Sequence, residues 1–263
     1  MRYGGNTSCV AVRLGNDELI VLDCGTGARA LGLSLMSGPF GQGKGNAALL
    51  LSHAHWDHIQ GFPFFGPLYV PGNVITIYGS NTQAKLEEIF EGQMAAQYFP
   101  VQTIKNMGST IHMHTADTTR PFPVSSASVR ACANPHGPTG ALAFRIEQGG
   151  KALVYASDAG YGATGPDAAA IDLYRGADLL VHDCTYTPED RARHLDRGLS
   201  SLTEAVDAAV KAGVKRLGLF HYDQDYSDHD VDELIARGRR ALDEKGGQTI
   251  EIFGATEGLT VTL

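Results

Sequence analysis

The apolar run Ala47-Ala48-Leu49-Leu50-Leu51, followed after one serine by His53-Ala54-His55-Trp56-Asp57-His58, constrains this chain more than any other segment. Such a run reads as a buried strand that hands the residues after it to a sheet edge. Four side chains able to bind metal then fall within six positions. Neutral imidazole and carboxylate suit Zn²⁺ and other borderline first-row cations. One metal takes about three protein ligands plus water, so four donors here, with more elsewhere, point to two metals. The bland alternative is a His-rich surface turn, which chance seldom makes this dense.

The same local design recurs. Ala152-Leu153-Val154-Tyr155 leads to Asp158, and Leu217-Gly218-Leu219-Phe220 leads to His221. Ala133-Asn134-Pro135-His136-Gly137-Pro138 puts a histidine in a glycine-flanked turn after a strand-like stretch, 128–133. Open α/β sheets gather ligands beyond the carboxyl ends of their strands, because the loops there converge. Leu179-Leu180-Val181 ends in His182-Asp183 by the same rule. The pattern alone therefore leaves those two in competition with the others.

Strand-like and helical segments alternate along the chain, and no linker rich in Pro, Ser or charge divides it. Residues 1–263 read as one α/β domain with a sizeable core. A hairpin around Gly15-Asn16-Asp17 joins 9–14 to 18–23. Residues 26–36 read as a helix, 74–78 as a strand, and Asn81 as the cap of a helix to about Glu91. Residues 141–147 and 152–156 continue the strands. Ser201-Leu202-Thr203-Glu204 has capping-box spacing, and Leu202, Ala205, Val206, Ala209 and Val210 form the apolar stripe of the helix behind it. The glycine-rich 38–45 has Gly45 after Lys44, which breaks the phosphate-loop pattern and leaves a flexible connector. His112 and His114 share one face of a strand at 110–114; no Asp-His follows them, and they read as a solvated face.

A net charge of −8 disfavours tight binding to long nucleic acid or to anionic membrane. No run of about 18 apolar residues exists, and the first residues lack a signal-peptide core, which leaves the cytoplasm as the default. Cys9, Cys24, Cys132 and Cys184 lack C-x-x-C spacing and read as reduced and buried.

The H-x-H-x-D-H cluster does not stand alone. Gly4-Gly5-Asn6-Thr7-Ser8-Cys9, Leu22-Asp23-Cys24-Gly25-Thr26-Gly27, Gly61-Phe62-Pro63-Phe64-Phe65, Ala177–Asp183 and Leu217–His221 accompany it. Together they resemble the metallo-β-lactamase-fold hydrolases, in particular the ribonuclease Z and cyclic-nucleotide phosphodiesterase-like branch, over nearly the whole chain. The resemblance implies a four-layer αβ/βα sandwich and two divalent metal ions, zinc first, with Mn or Fe compatible. It implies His53, His55 and His136 at one metal, Asp57, His58 and His221 at the other, and Asp158 bridging both. His182 and Asp183 then become hydrogen-bonded support. In such a centre a metal-bridging hydroxide attacks the ester, with Asp57 positioning it. Asp23 is a candidate for orienting a ligating histidine, against an ordinary turn aspartate before glycine.

Two departures from the family pattern bear on function. Leu199 stands in Arg197-Gly198-Leu199-Ser200-Ser201 where ribonuclease Z relatives carry a histidine thought to assist the leaving group. Leucine cannot donate a proton, and His194 could substitute only if its loop folds back. Tyr222 follows His221 where many relatives have a second histidine. The protruding basic arm of the transfer-RNA-processing members has no counterpart, which points to a small substrate. Phe62, Phe64, Phe65, Tyr98 and Phe99 are candidates for an apolar wall; Phe65 and Tyr222 are the expected substrate contacts. The expected function is two-metal hydrolysis of a small phosphodiester such as a cyclic nucleotide. A phosphotriesterase, lactonase or β-lactamase on the same centre is the alternative. A non-catalytic metal-stabilised binding protein is a third reading, against which the complete ligand set argues. Relatives are often dimers, which leaves a homodimer open.

Overall fold

The hairpin around Gly15-Asn16-Asp17 forms. Strand β1 (Val10–Arg13) pairs antiparallel with β2 (Leu19–Leu22), and Asp17 turns the chain at φ 63°. The computed structural model describes residues 2–81, 83–101, 103–161, 165–194 and 197–263, in two compact units.

One unit comprises Asn6–Ala116 and Pro123–Ala127. After the hairpin come helix α1 (Gly27–Leu35), β3 (Asn46–Leu50), the single-turn helix α2 (Trp56–Ile59), β4 (Val74–Gly79), α3 (Gln83–Gln93) and β5 (Thr110–Thr115). The sheet order is β1-β2-β3-β4-β5, parallel from β2 onward. β2 is buried throughout, and β3 after its first residue, as parallel strands covered on both faces require. Leu19, Val21, Leu49, Ile77, Phe62 and Phe90 share the core beside them. His112 and His114 lie on the exposed face of edge strand β5. The stretch 38–45 is no loose connector. It holds a 3₁₀ turn over Pro39–Gln42 that ends at Gly43 with φ 71°. Buried Phe40 anchors it, and the Asn73 side chain accepts from Gly45 N and donates to Phe40 O, at 2.8 and 2.9 Å.

The other unit comprises Met1–Gly5, Asp117–Phe122 and Ser128–Leu263. The seven-stranded sheet is built from β6 (Phe122–Val124), β7 (Ala127–Asn134), β8 (Ala141–Gln148), β9 (Lys151–Ala156), β10 (Leu179–Asp183), β11 (Arg216–Phe220) and β12 (Glu251–Gly254), in the order β12-β11-β10-β9-β8-β7-β6. β9 to β12 run parallel; β7, β8 and β9 are antiparallel neighbours. Helices α4 (Ala168–Tyr174), α5 (Pro188–Arg191), α6 (Leu202–Ala212) and α7 (Asp228–Glu244) connect the parallel strands. The capping box at Ser201 and Glu204 forms, and Gly213 at φ 62° ends α6. Leu202, Ala205, Val206 and Ala209 are buried in one core with Leu217 and Leu219. Among the described residues no helix is long and apolar enough to cross a membrane.

Candidate metal centre

Asp23 and the His cluster lie at the same end of two neighbouring strands. Asp23 follows β2, its N–H donates to Leu50 O at 3.0 Å, and its φ of 59° turns the side chain back beneath the loop after β3. The carboxylate is fully buried and accepts three bonds of 2.7 Å, from Ser52 N, Ser52 Oγ and His58 Nδ1. A carboxylate only accepts, so His58 carries its proton on Nδ1 and Nε2 is the basic nitrogen. That Nε2 lies 3.2 Å from Asp57 Oδ2. The Ser52 hydroxyl, its proton given to Asp23, accepts from His53 Nδ1 at 3.1 Å and fixes the same tautomer there. The His53 ring centroid is 4.4 Å from that of His55 and 4.2 Å from that of His58. Two glycines make this crowding feasible. A Cβ on Gly25 would sit 2.1 Å from Asp57 O, and one on Gly61 1.8 Å from Gly25 O. Cys24 N to His58 O and Gly61 N to Cys24 O, at 2.8 and 2.9 Å, tie the two turns together.

Asp158 organises the other unit in a similar way. It follows β9 at φ 52°, is buried, and accepts from Ser157 Oγ at 2.7 Å. Its two oxygens serve two histidines: His136 Nε2 is 3.5 Å from Oδ2, and His221 Nε2 is 3.5 Å from Oδ1. His136 Nδ1 donates to Gly198 O at 2.7 Å. Thr185 Oγ1 donates to His221 O at 2.9 Å and so accepts from His221 Nδ1 at 3.2 Å. Both imidazoles therefore turn Nε2 toward the carboxylate. His221 has φ 59°, like Asp23 and Asp158 in the left-handed region. Non-glycine residues held there store about 1–3 kcal/mol each and concentrate at functional sites.

Four histidines thus share one design, in which Nδ1 is held by an acceptor and Nε2 is the donor atom, the arrangement in which proteins hold ligating imidazoles. The donor set fits divalent metal. Among the described residues, His53, His55, Asp57 and His58 in one unit and His136, Asp158 and His221 in the other are side chains able to hold metal. These are the seven residues singled out in the sequence.

His182 and Asp183 have other employment. His182 is fully buried, with Nδ1 bonded to Asp183 O at 2.7 Å and Nε2 to Tyr161 Oη at 2.9 Å, so neither nitrogen is left for a cation. Asp183 accepts from Ser200 N at 2.9 Å, in the loop whose Gly198 holds His136. Leu199 lies between those two anchors. His194 stacks on Tyr186 at 5.2 Å; residues 195–196, which separate it from the Leu199 loop, lie outside the described residues. Tyr222 donates its hydroxyl to Leu219 O at 2.7 Å, and burial raises its pKa further, so the proton expected for a substrate oxygen is already committed. Phe65, the other expected contact, is buried in the core beside β3 and packs against Gly32. Sequence reasoning passed over Ser52, Thr185 and Gly198, which hold the imidazoles. Only Ser52, directly before His53, carried any signal.

A model described as the beta-lactamase superfamily domain matches residues 19–222. Ribonuclease Z of Kineococcus radiotolerans is 43% identical over 81 residues, which are 31% of this chain and 25% of that protein. Ribonuclease BN of Escherichia coli O1:K1 is 27% identical over 91% of this chain and 86% of its own length. Among solved structures, the metallo-beta-lactamase fold protein YhfI from Bacillus subtilis superposes with TM-score 0.69 at 21% identity, covering 98% of this chain and 94% of YhfI. That likeness shows the fold, two sheets flanked by helices. The chain belongs to the beta-lactamase superfamily: it is a metallo-β-lactamase-fold hydrolase with His and Asp side chains able to hold metal.

Proposed function

We propose that the seven side chains hold two divalent cations, zinc first, and that the chain hydrolyses a small phosphodiester of the cyclic-nucleotide kind. The observation that carries this reading is Asp158, whose two oxygens face the Nε2 atoms of two oriented histidines at 3.5 Å each. A structural zinc would close its shell with one set of ligands; a carboxylate shared between two sets suits a pair of cations. Relatives that carry ribonuclease names support a phosphodiester. The net charge of −8 opposes a long polyanion and favours a small one.

When bound, a cation pair supplies a nucleophile from water near neutral pH and offsets charge on the attacked and leaving oxygens. The protein's own groups then divide the remaining tasks. Asp23, Ser52, Gly198 and Thr185 fix the imidazole tautomers. Asp57, with 39% of its side chain exposed against 4% for Asp158, is the carboxylate of the set that solvent reaches. It accepts the hydrogen bond of an incoming water and orients it. At Leu199 no proton is available for a departing alkoxide. Four free cysteines suit a reducing compartment such as the cytoplasm.

The test is a panel of a bis-aryl phosphate, an aryl phosphate triester, a lactone and a cephalosporin on metal-loaded protein. The diester is expected to have the highest kcat/KM. A triester, lactone or cephalosporin turned over faster would replace this reading with the corresponding hydrolase.

A further inference from the structure

We infer that Trp56 is the stacking surface for an aromatic ring on the substrate, which narrows the substrate class to phosphoesters carrying a nucleobase or an aryl group. Trp56 is the sole tryptophan, and it sits between His55 and Asp57, each a proposed ligand. Consecutive Cα atoms are 3.80 Å apart, so the Trp56 backbone lies directly beside those of two proposed ligands. Its side chain is nevertheless 69% exposed. Packing does not explain it, because its neighbours on α2, His58 and Ile59, fill the buried positions. Helix propensity does not explain it either, since tryptophan is a middling helix former. The ring is left in water beside two proposed ligands, where it can meet a partner ring edge-on or offset.

Trp56 has company in its own unit. The exposed large aromatic side chains among the described residues are Trp56, Phe64 and Tyr98. Phe64 follows Trp56 by eight residues on the same connection after β3, and its ring meets Phe99 edge-on at 5.4 Å and 85°. The apolar wall expected of Phe62, Phe64, Phe65, Tyr98 and Phe99 therefore divides: Phe62 and Phe65 are core, and Phe64 and Tyr98 face solvent. The fold buries the rings it needs and leaves others on the surface of the unit that carries the His cluster.

The inference rests on the phosphodiester reading, and the experiment separates the two. Trp56 fluorescence reports on this position alone. Metal-loaded protein is titrated with AMP, phenyl phosphate and ribose 5-phosphate, with calorimetry giving the occupancy. AMP and phenyl phosphate are expected to quench saturably, and ribose 5-phosphate at equal occupancy to leave the emission unchanged. Trp56→Ala is expected to raise KM for an aryl-bearing diester about tenfold or more, as loss of one base-stacking contact does, with kcat nearly unchanged. Trp56→Tyr should keep the wild-type KM, and metal content should be equal in all three proteins. Quenching by AMP without hydrolysis of any phosphodiester would support the ring site and remove the phosphodiester reading. Hydrolysis with the Trp56→Ala KM unmoved, or emission unchanged at saturating AMP, would overturn the ring site alone. Absence of AMP binding by calorimetry would overturn it as well.

Discussion

Replacing Asp23 by asparagine changes one atom and puts a donor where Oδ2 now accepts two hydrogen bonds. Asp23 Oδ1 accepts from Ser52 N, and Oδ2 accepts from both Ser52 Oγ and His58 Nδ1, all at 2.7 Å. In Asp23→Asn the amide oxygen keeps the bond to Ser52 N and the amide nitrogen takes the place of Oδ2. Two donors then face each other unless His58 moves its proton to Nε2, the nitrogen that would bind metal. Loss of such an orienting partner typically lowers metal affinity or activity by about 10–100-fold. The fold should suffer far less, because asparagine tolerates the left-handed backbone that φ 59° demands. Asp23→Ala is the contrasting case. It leaves three buried donors facing a void, a change of the class that costs about 3–5 kcal/mol, with about 1–2 kcal/mol more for alanine in the left-handed region. Chelator competition against each metal equivalent and urea denaturation of both variants separate the effects. The asparagine variant should bind one equivalent 10–100-fold more weakly at near-normal stability, and the alanine variant should lose both. An asparagine variant with both metals at wild-type affinity would refute the tautomer argument.

Three further outcomes are expected. Asp57→Ala should lose most turnover while keeping the fold and at least one metal, since its half-exposed carboxylate contributes little to stability; near-normal kcat with two metals bound would remove Asp57 from the reaction. With no acid at Leu199, log kcat/KM should fall steeply with leaving-group pKa, and activated aryl esters should outrun alkyl ones by about 10²–10⁴-fold. Leu199→His should flatten that plot, whereas a shallow wild-type slope would mean that another acid acts. Burial pushes the thiols of Cys9 and Cys132 up to about 12 and those of Cys24 and Cys184 well above their ordinary range. A disulfide reagent at pH 8 should therefore find no reactive thiol in the native protein and four in denaturant; a fast native thiol would contradict the burial.

Much of the site was legible because short apolar strands and ligand-competent residues sit next to each other in the chain. His53, His136, Asp158 and His221 each follow the end of a strand within three residues, and those strands form with nearly the expected bounds. The competition from His182 was not resolvable locally. Its exclusion comes from Tyr161, twenty-one residues away, whose hydroxyl takes its Nε2. The surroundings of Phe65 and Tyr222, the expected substrate contacts, were unreadable for a related reason: whether a ring faces core or solvent depends on what packs over it, and Phe65 lies buried against Gly32 while the Tyr222 hydroxyl donates to Leu219 O. Helices α4 and α7 and strand β12 carried weaker local patterns, although Asp167 and Ser227 cap the two helices with side-chain bonds. The 3₁₀ turn at Pro39–Gln42 was hidden because glycine-rich composition signals freedom, while Asn73, distant in sequence, removes it.

A pair of metals sharing Asp158 would carry the proposed chemistry, and stoichiometry measured against activity tests that pair most directly. Metal-free protein is titrated with Zn²⁺ while bis-aryl phosphate hydrolysis and bound metal are followed together. Activity is expected to climb to its plateau only as the second equivalent binds, and Asp158→Ala to bind fewer than two equivalents and stay inactive. Full activity at one equivalent per chain, reproducibly, would contradict it.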